Sequence, residues 1–209
     1  MAFDKTQTID RFLDATASKQ PAPGGGSVTA LVGALSAAMG EMVLNYSAGK
    51  KELAKHEPEL RAALSEFTRA RSVLVELMLE DQAAFEALSN ARKSAKDAGD
   101  RDPTFAAALL TCIRIPQAIG ATALALLELT DHLGPIVNKL LLSDLAVCAE
   151  LAMATIRCAS YNVRVNLADV SDAGERDRFE SASSAMVAQG SEIVRRVIPA
   201  IWQRHTNKT

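Results

Sequence analysis

The segment from residue 27 to residue 48 restricts the possible folds of this chain more than any other feature. Glu41 is its only charged residue. Large apolar side chains recur along it at the spacing of one helical face, which predicts that this face is buried: Val28, Leu31, Val32, Leu35, Met39, Met42 and Val43. A second stripe consists of small residues that allow another helix to approach closely: Thr29, Gly33, Ser36, Ala37 and Gly40. A helix with so little charge is predicted to lie at the centre of the fold or at a subunit interface.

The rest of the chain also favours helices. Hydrophobic residues make up 48% of the chain but aromatic residues only 4%, so the core must be built mainly from aliphatic side chains and Met. The pattern predicts helices over residues 4–18, 27–48, 58–95, 102–131 and 143–167, and a last helix that ends near residue 203. We therefore predict an all-α fold, a single domain over residues 1–209 that forms a bundle of five or more helices with long central helices.

Chain breakers set the predicted boundaries. Gly49 is suited to positive φ at the end of the second helix, and the Gly134-Pro135 pair predicts a turn. The polar residues 93–101 and 169–172 predict loops. Pro116 is expected to kink or break its helix, and Pro199 is expected to disturb the last one.

Composition argues against several classes of protein. The formal net charge is −2, which gives no electrostatic case for binding nucleic acid. The N-terminal residues carry acids and lack an apolar core, so no signal peptide is expected. No run of about 18 apolar residues is uninterrupted, so no membrane span is expected. We predict a cytoplasmic protein.

Cysteine and histidine offer no obvious metal or redox site. Cys112, Cys148 and Cys158 have no CxxC spacing, and we interpret them as small core residues in a reducing compartment. The 3 histidines have no spacing typical of metal ligands, so we predict no metal site and no permanently bound cofactor.

A glycine-rich turn precedes the apolar helix: Pro23, Gly24, Gly25, Gly26 and Ser27. Glycines at a helix start let backbone amides converge on a ligand near the positive end of the helix dipole. The turn is neither a Walker A loop, because no Gly-Lys-Ser/Thr follows, nor a dinucleotide fingerprint, because no strand precedes it. The alternative is a tight turn that only needs positive φ.

Two further features combine charge with an unusual position. Lys50 and Lys51 follow a helix C-terminus, where they either bind an anionic group or are simply solvated. Asp81 lies in the apolar stripe of its helix, where it is costly unless it is paired or sits in a functional pocket. The stripe consists of Leu74, Leu77, Met78, Asp81, Phe85 and Leu88. A structural alternative for Asp81 is an internal ion pair with Arg114 or Arg157.

Ser143 and Asp144 open a nearly uncharged helix. A Ser N-cap followed by an acid is an ordinary helix start. Charges recur every seven residues along this helix, at Glu150, Arg157 and Arg164, and need partners inside the protein, across a dimer or in a ligand cleft. Asn162 and Asn166 add amide groups near its end, where an internal hydrogen-bond network is their simplest role.

These segments together resemble one known family. The stretch APGGGSVTAL at 22–31, its continuation to the double lysine, residues 80–85 and residues 143–166 are similar to the C-terminal family of formiminotransferase-cyclodeaminase. That family contains formimidoyltetrahydrofolate cyclodeaminases and stand-alone methenyltetrahydrofolate cyclohydrolases. The resemblance implies an all-α homodimer that binds no metal and takes a tetrahydrofolate derivative as substrate.

The resemblance also implies roles for residues of this chain. Lys50, Asp81 and Asp144 would be the catalytic polar groups, and the substrate would contact Pro23, Gly24, Gly25, Gly26, Ser27, Lys51, Asn138 and Ser143. The glycine turn and the two aspartates would converge on one pocket. Leu53 and Leu140 depart from the family pattern, which often has an aromatic residue and an asparagine there.

The resemblance leaves three functions open. Because the chain stands alone, methenyltetrahydrofolate cyclohydrolase is preferred to formimidoyltetrahydrofolate cyclodeaminase. The two departures favour a third alternative, a non-catalytic protein that binds folate or only dimerises.

Overall fold

The computed structural model describes residues 5–98 and 103–206. Over these residues the chain forms six α-helices and two short 3-10 helices, and no strand. The α-helices are α1 (Ile9–Ala17), α2 (Gly25–Asn45), α3 (Glu57–Ala98), α4 (Pro103–Leu133), α5 (Leu142–Leu167) and α6 (Ala173–Thr206). The 3-10 helices cover Lys51–His56 and Lys139–Leu141. The predicted all-α class is confirmed, and the single-domain assignment stays a prediction.

Helix α2 lies between α3 and α5 and is antiparallel to both. Gly40 faces the Phe67 ring of α3 so closely that a Cβ would overlap it. A Cβ at Gly33 would come within 3.1 Å of both Leu74 of α3 and Thr155 of α5. The stripe of small residues is therefore the contact surface that brings three helices together.

The predicted buried face of α2 is wrong, and the small-residue stripe takes its place. Of the large apolar residues only Val43 is buried, whereas Leu35 is 52% exposed. Its neighbours on that face are partly buried: Val28, Leu31, Val32, Met39 and Met42. Small side chains let the neighbouring helix backbones come closest to α2, and the side of α2 that carries them is therefore the buried side.

Several helix boundaries also differ from the prediction. Residues 93–98 continue α3 instead of forming a loop, and residues 99–101 and the predicted cap Asp102 lie outside the described residues. Helix α1 begins at Ile9, since the Thr8 side chain caps it by accepting from the Arg11 backbone N–H at 3.3 Å. Residues 3 and 4 lie outside the described part of the chain.

The internal prolines do not break their helices. Pro116 is buried inside α4, which continues through it to Leu133. Pro199 lies within α6, which ends at Thr206. Packing along the rest of each helix outweighs the loss of one backbone hydrogen bond. The predicted turn at 134–135 and the loop at 169–172 are confirmed, and Gly49 has the expected positive φ of 78°.

By length and composition alone, helices α2 and α4 are both long and apolar enough to cross a membrane. In this fold their most apolar windows are 56% and 44% buried against the rest of the protein. Core helices often meet the same criteria, so the absence of a membrane span stays a prediction.

Candidate functional site

The first half of the candidate site lies where α2 begins, and we call it the glycine-turn cluster: Gly25, Gly26, Ser27, Asp81 and Asn162. Gly24 is the N-cap residue of α2 and supplies no side-chain cap. The fully buried Ser27 donates its hydroxyl to Asp81 Oδ2 at 2.9 Å. The Ser27 backbone N–H donates to the same carboxylate. The turn and the aspartate, 54 residues apart in sequence, are therefore in direct contact.

Gly26 is required because α3 comes too close for any side chain. A Cβ at this position would overlap the Asp81 carboxylate. This close approach, and not positive φ, explains the glycine, since Gly49 is the described glycine with positive φ. The alternative that this turn only needs positive φ is therefore wrong at Gly26.

Asp81 occupies a largely apolar position without an ion pair among the described residues. Burial raises the pKa of the Asp81 carboxyl above its ordinary value, and the two hydrogen bonds from Ser27 oppose that rise. The predicted partners Arg114 and Arg157 are both exposed, and the partner of Asp81 is Ser27. Because it is desolvated and hydrogen-bonded but not neutralised, this carboxyl has the environment of a functional acid or base.

The apolar stripe around Asp81 is largely confirmed. Leu74, Leu77, Met78 and Leu88 are buried, but Phe85 is 43% exposed. Cys112 of α4 lies near enough for the Asp81 charge to contribute to its pKa. Burial is the larger cause of the raised pKa of this thiol, and the charge of Asp81 raises the pKa further. Cys112 is therefore poorly suited as a nucleophile.

Two asparagines of α5 complete this end of the site. Asn162 Nδ2 donates to Thr29 Oγ1 at 3.2 Å and to the Cys158 carbonyl at 3.0 Å. Thr29 in turn donates to the Gly25 carbonyl at 2.6 Å. Asn166 Nδ2 donates to the Asn162 carbonyl at 3.0 Å and to the Cys112 carbonyl at 3.3 Å. The predicted internal network is present, and it also reaches the glycine turn.

The second group of predicted site residues lies near the other end of α2 and the start of α5, and we call it the lysine-end cluster: Lys50, Lys51, Asn138, Ser143 and Asp144. Lys50 Nζ is 3.6 Å from a Glu52 carboxylate oxygen. Lys51 begins a 3-10 helix and is exposed, as is Ser143. Ser143 is not the predicted N-cap of α5, since Leu141 has that position and Ser143 lies inside the first turn.

Asn138 holds this end together. Its side-chain oxygen accepts from the Leu140 backbone N–H at 3.1 Å, and its Nδ2 donates to the Tyr46 carbonyl at 3.3 Å. Its backbone N–H donates to the buried Ser47 hydroxyl at 2.9 Å. These bonds join the loop before α5 to the end of α2. Its predicted contact with substrate remains a prediction.

The two clusters do not converge within one chain. Asp144 lies in the first turn of α5 and Asn162 near its end, which separates them by about 27 Å at 1.5 Å per residue. A surface depression beside Pro23 is lined by α1 and the residues on either side of that helix, and it includes neither Asp81 nor Asp144. Asp81 and Asp144 therefore do not meet in one pocket within a single chain, and their meeting between two copies stays a prediction. A sequence motif does not give the distance between its segments in the folded chain.

The fold and the glycine-turn cluster match one protein family. Residues 8–185 match the family model described as formiminotransferase-cyclodeaminase. The chain therefore belongs to the formiminotransferase-cyclodeaminase family, as its sequence motifs predicted.

Individual relatives differ in how much of their length this chain covers. The methenyltetrahydrofolate cyclohydrolase of Methylorubrum extorquens is 29% identical over 199 residues, which cover 93% of this chain and 96% of that protein. The formimidoyltransferase-cyclodeaminase of Sus scrofa is 32% identical over 85% of this chain, which corresponds to 34% of that protein. A crystal structure of formiminotetrahydrofolate cyclodeaminase from Thermotoga maritima aligns with a TM-score of 0.88 at 29% identity, covering 94% of this chain and 96% of that one.

Proposed function

We propose that this protein is a methenyltetrahydrofolate cyclohydrolase that converts 5,10-methenyltetrahydrofolate and water to 10-formyltetrahydrofolate. One observation carries the proposal: the Asp81 carboxylate is desolvated, lacks a cationic partner among the described residues, and is fixed by Ser27 at the start of α2. The near full-length match to the Methylorubrum cyclohydrolase supports it. The Sus scrofa formimidoyltransferase-cyclodeaminase is about three times longer than the region that matches this chain.

The reaction suits a carboxylate in this environment. Water adds to the cationic methenyl carbon, loses a proton and gives a tetrahedral adduct. The bond from that carbon to N5 then breaks, which leaves the formyl group on N10 and releases one proton overall. Asp81 can stabilise the cation before attack, and its raised pKa suits it to accept the proton of the attacking water.

The remaining polar groups of the site come from a second copy of the chain in this proposal. The exposed side of α5 carries an apolar stripe that includes Val147, Tyr161 and Val165. Leu35 is exposed on α2, and α2 packs against α5. An apolar face that spans two helices is typical of a protein interface. The small-residue stripe makes α2 central to the fold, and its exposed face favours the subunit-interface role in addition.

A two-fold axis through the middle of this face would complete the site. In an isologous contact each surface meets its own copy, so the start of α5 in one chain meets the end of α5 in the other. An axis near Leu35 and Ala154 would therefore bring Asp144 and Lys50 of one copy to the glycine-turn cluster of the other. Two equivalent sites would result, each with Asp81 and Asp144 from different chains.

Two exposed charges on α5 fit the same arrangement. Glu150 and Arg157 have no hydrogen bond or ion pair within the part of the chain that the structure describes. Arg164, the third charge in the series, pairs with Glu180 at 2.7 Å. Around an axis near Ala154, Glu150 of each copy would face Arg157 of the other. This pairing would give both charges the partners that they lack within one chain.

Formimidoyltetrahydrofolate cyclodeaminase is the second candidate. It is favoured by the Thermotoga structure, which is described as a formiminotetrahydrofolate cyclodeaminase and is covered to 96% by this chain. In that reaction the formimino carbon on N5 bonds to N10 and ammonia leaves. The same carboxylate would stabilise the cationic product. The site geometry is compatible with both reactions, so assays must separate them.

The test follows the near-ultraviolet absorbance of 5,10-methenyltetrahydrofolate with the purified protein against buffer alone. Faster loss of absorbance with formation of 10-formyltetrahydrofolate supports the cyclohydrolase. Ammonia release from the formimino substrate without methenyl hydrolysis supports the cyclodeaminase. Thermal stabilisation by folate with neither reaction would leave the non-catalytic alternative. We also propose that the protein acts in the cytoplasm and carries no permanently bound cofactor.

A further inference from the structure

We infer that Asn166 is a positioning residue: it bonds the α4 carbonyl that Pro116 leaves without a helical donor, and so holds the Cys112 segment of α4 near the Asp81 carboxylate. The inference rests on the proposed catalytic role of Asp81 and gives a role to two residues outside the predicted site set. It follows from one missing backbone hydrogen bond, from the side chain that replaces it, and from the place of Cys112 beside the site.

Pro116 leaves one carbonyl of α4 without its helical partner. Helix α4 continues through Pro116 to Leu133. Within an α-helix each backbone N–H donates to the carbonyl four residues earlier, and proline has no N–H. The Cys112 carbonyl therefore lacks its helical donor. Cys112 and Pro116 are both buried, so a carbonyl without any donor would be costly at this point.

Asn166 of α5 supplies the missing donor. Its Nδ2 donates to the Cys112 carbonyl at 3.3 Å and to the Asn162 carbonyl at 3.0 Å. Because both acceptors are carbonyl oxygens, only the amide nitrogen can make these bonds, which determines the orientation of the amide. We call this contact the proline joint: the Cys112 carbonyl, Pro116 and the Asn166 side chain. It ties α4 to the end of α5.

Cys112 connects the proline joint with the site. The charge of Asp81 acts on the Cys112 thiol, as does the charge of Arg92, which is also on α3. Helices α3 and α4 pack against each other, so this turn of α4 belongs to the surroundings of the carboxyl. Burial raises the pKa of Asp81, while hydrogen bonds from Ser27 oppose the rise. If the joint loosens, water can reach the carboxyl more easily, and its pKa should fall toward the ordinary value.

A double-mutant cycle tests the proline joint and needs no substrate. Asn166→Ala removes the donor to the Cys112 carbonyl, and we expect the midpoint of thermal unfolding to fall by about 2–8 °C. Pro116→Ala restores an N–H that can donate to the same carbonyl, so Asn166→Ala should cost less than about half as much in that background. Pro199→Ala is the matched control, because it replaces the proline inside α6 and should leave the cost unchanged. An equal cost in all three backgrounds would overturn the inference.

The titration of Asp81 tests its connection with the joint. Carbon-13 NMR of protein labelled at its aspartates follows the Asp81 carboxyl, which is the signal that Asp81→Asn removes. Asn166→Ala should move the midpoint of this titration to lower pH, and the acid limb of the kcat/KM profile should move with it. We expect kcat to fall about tenfold and KM to change less than about threefold. Addition of Pro116→Ala should return these values toward wild type, which loss of packing alone would not do.

The outcomes separate this inference from the proposed function. If wild type is inactive on the folate substrate, the proposed function fails, and the titration of Asp81 still supports or overturns the positioning role. If wild type is active but the titration of Asp81 is the same in Asn166→Ala, only the inference is overturned. Should Asn166→Ala fail to fold by far-ultraviolet circular dichroism, Asn166→Ser is judged by the same criteria, because its hydroxyl can still bond within α5 but is too short to replace the amide toward α4.

Discussion

The two ends of α2 differ in how their polar groups are held. At the glycine turn, side chains from α2, α3 and α5 contact one another directly, as Ser27 with Asp81 and Thr29 with Asn162 show. At the lysine end, Asn138 binds mainly backbone groups, and two of the predicted site residues there, Lys51 and Ser143, are exposed. The glycine-turn cluster is therefore held by direct contacts between helices, whereas the lysine end presents some of its polar groups outward.

This difference teaches that residues predicted for one site can lie at opposite ends of a helix in the folded chain. Both clusters were predicted from one resemblance, yet α5 keeps them about 27 Å apart at its rise of 1.5 Å per residue. The exposed apolar face between them is the basis of the proposed pairing with a second copy. The predictions below test whether the two ends belong to one site.

The largest effect is expected from mixing two inactive variants. Asp81→Asn and Asp144→Asn should each lower kcat by about 100-fold or more, as for loss of an acid-base group. If the two residues of a site come from different chains, mixed dimers contain one intact site. Random exchange after mild denaturation and refolding should then restore about a quarter of wild-type activity.

Each variant refolded alone is the control and should stay inactive. A mixture with no recovery, although mixed dimers are detected by differently tagged chains, would show that both aspartates act from the same chain or that one is not in the site. Full activity of Asp144→Asn would remove the lysine end from the mechanism and leave the glycine-turn cluster as the whole site.

Gly26→Ala should displace the Asp81 carboxylate, because the added Cβ would overlap it. A shift of about 1 Å in a catalytic group can lower the rate by about 100-fold, and overpacking can lower the free energy of unfolding by about 1–3 kcal/mol. Gly33→Ala is the matched control on the same helix, where the added methyl meets methyl groups of Leu74 and Thr155 at 3.1 Å and not the Asp81 carboxylate. Kinetics and urea unfolding check both variants, and equal activity of the two would contradict the role given to Gly26.

Leu35→Glu should separate the two copies, since it places a charge on the exposed apolar face of α2. We expect a monomer by light scattering and about a tenfold or greater loss of activity, because each separated chain would hold half of a site. Val73→Glu is the control, as Val73 is also exposed but lies on α3. A Leu35→Glu variant that stays dimeric and active would place the interface elsewhere.

A charge reversal tests the orientation of the copies. Glu150→Arg should weaken the dimer, because it would face Arg157 of the other copy, and the double variant Glu150→Arg/Arg157→Glu should recover it. Each exposed pair contributes about 0.2–1 kcal/mol, and a two-fold dimer contains two. Sedimentation at low salt measures the change, which should diminish in high salt. Additive effects of the two substitutions would indicate that the residues do not meet.

The smallest expected effect is on the pH dependence of stability. The pKa of Asp81 is raised above its ordinary value of 3.8, mainly by burial, so the folded protein holds this proton more tightly than the unfolded chain. Its contribution to stability is fully present below about pH 3.8 and is lost as pH rises through the folded pKa. Relative to Asp81→Asn, which cannot ionise there, wild type should become less stable over that range. Urea unfolding at several pH values measures the difference, and the opposite trend would show that the Ser27 hydrogen bonds outweigh burial.

Much of the fold could be predicted because helices depend on local pattern. The stripe that includes Leu74, Met78 and Leu88 repeats at helical spacing, and these residues are buried. The boundaries were less predictable: Pro116 lies within a continuous helix because tertiary packing outweighs its local preference. Asp81 was identifiable as a polar residue in an apolar stripe. Asn162 was noticed only as a possible network member, since no local pattern shows which way an amide points.

By itself, the sequence determined that this chain forms a bundle of long helices, that it belongs to its family, and that a glycine turn begins its least charged helix. These properties depend on periodicity and residue type, which are local. Only the tertiary structure decided which face of α2 is buried. It also decided that the Asp81 carboxylate occupies the space where a side chain at position 26 would lie, and that Asp144 lies at the opposite end of α5 from Asn162. Such facts depend on distances between segments remote in sequence, and those distances are set by how closely the helices can pack.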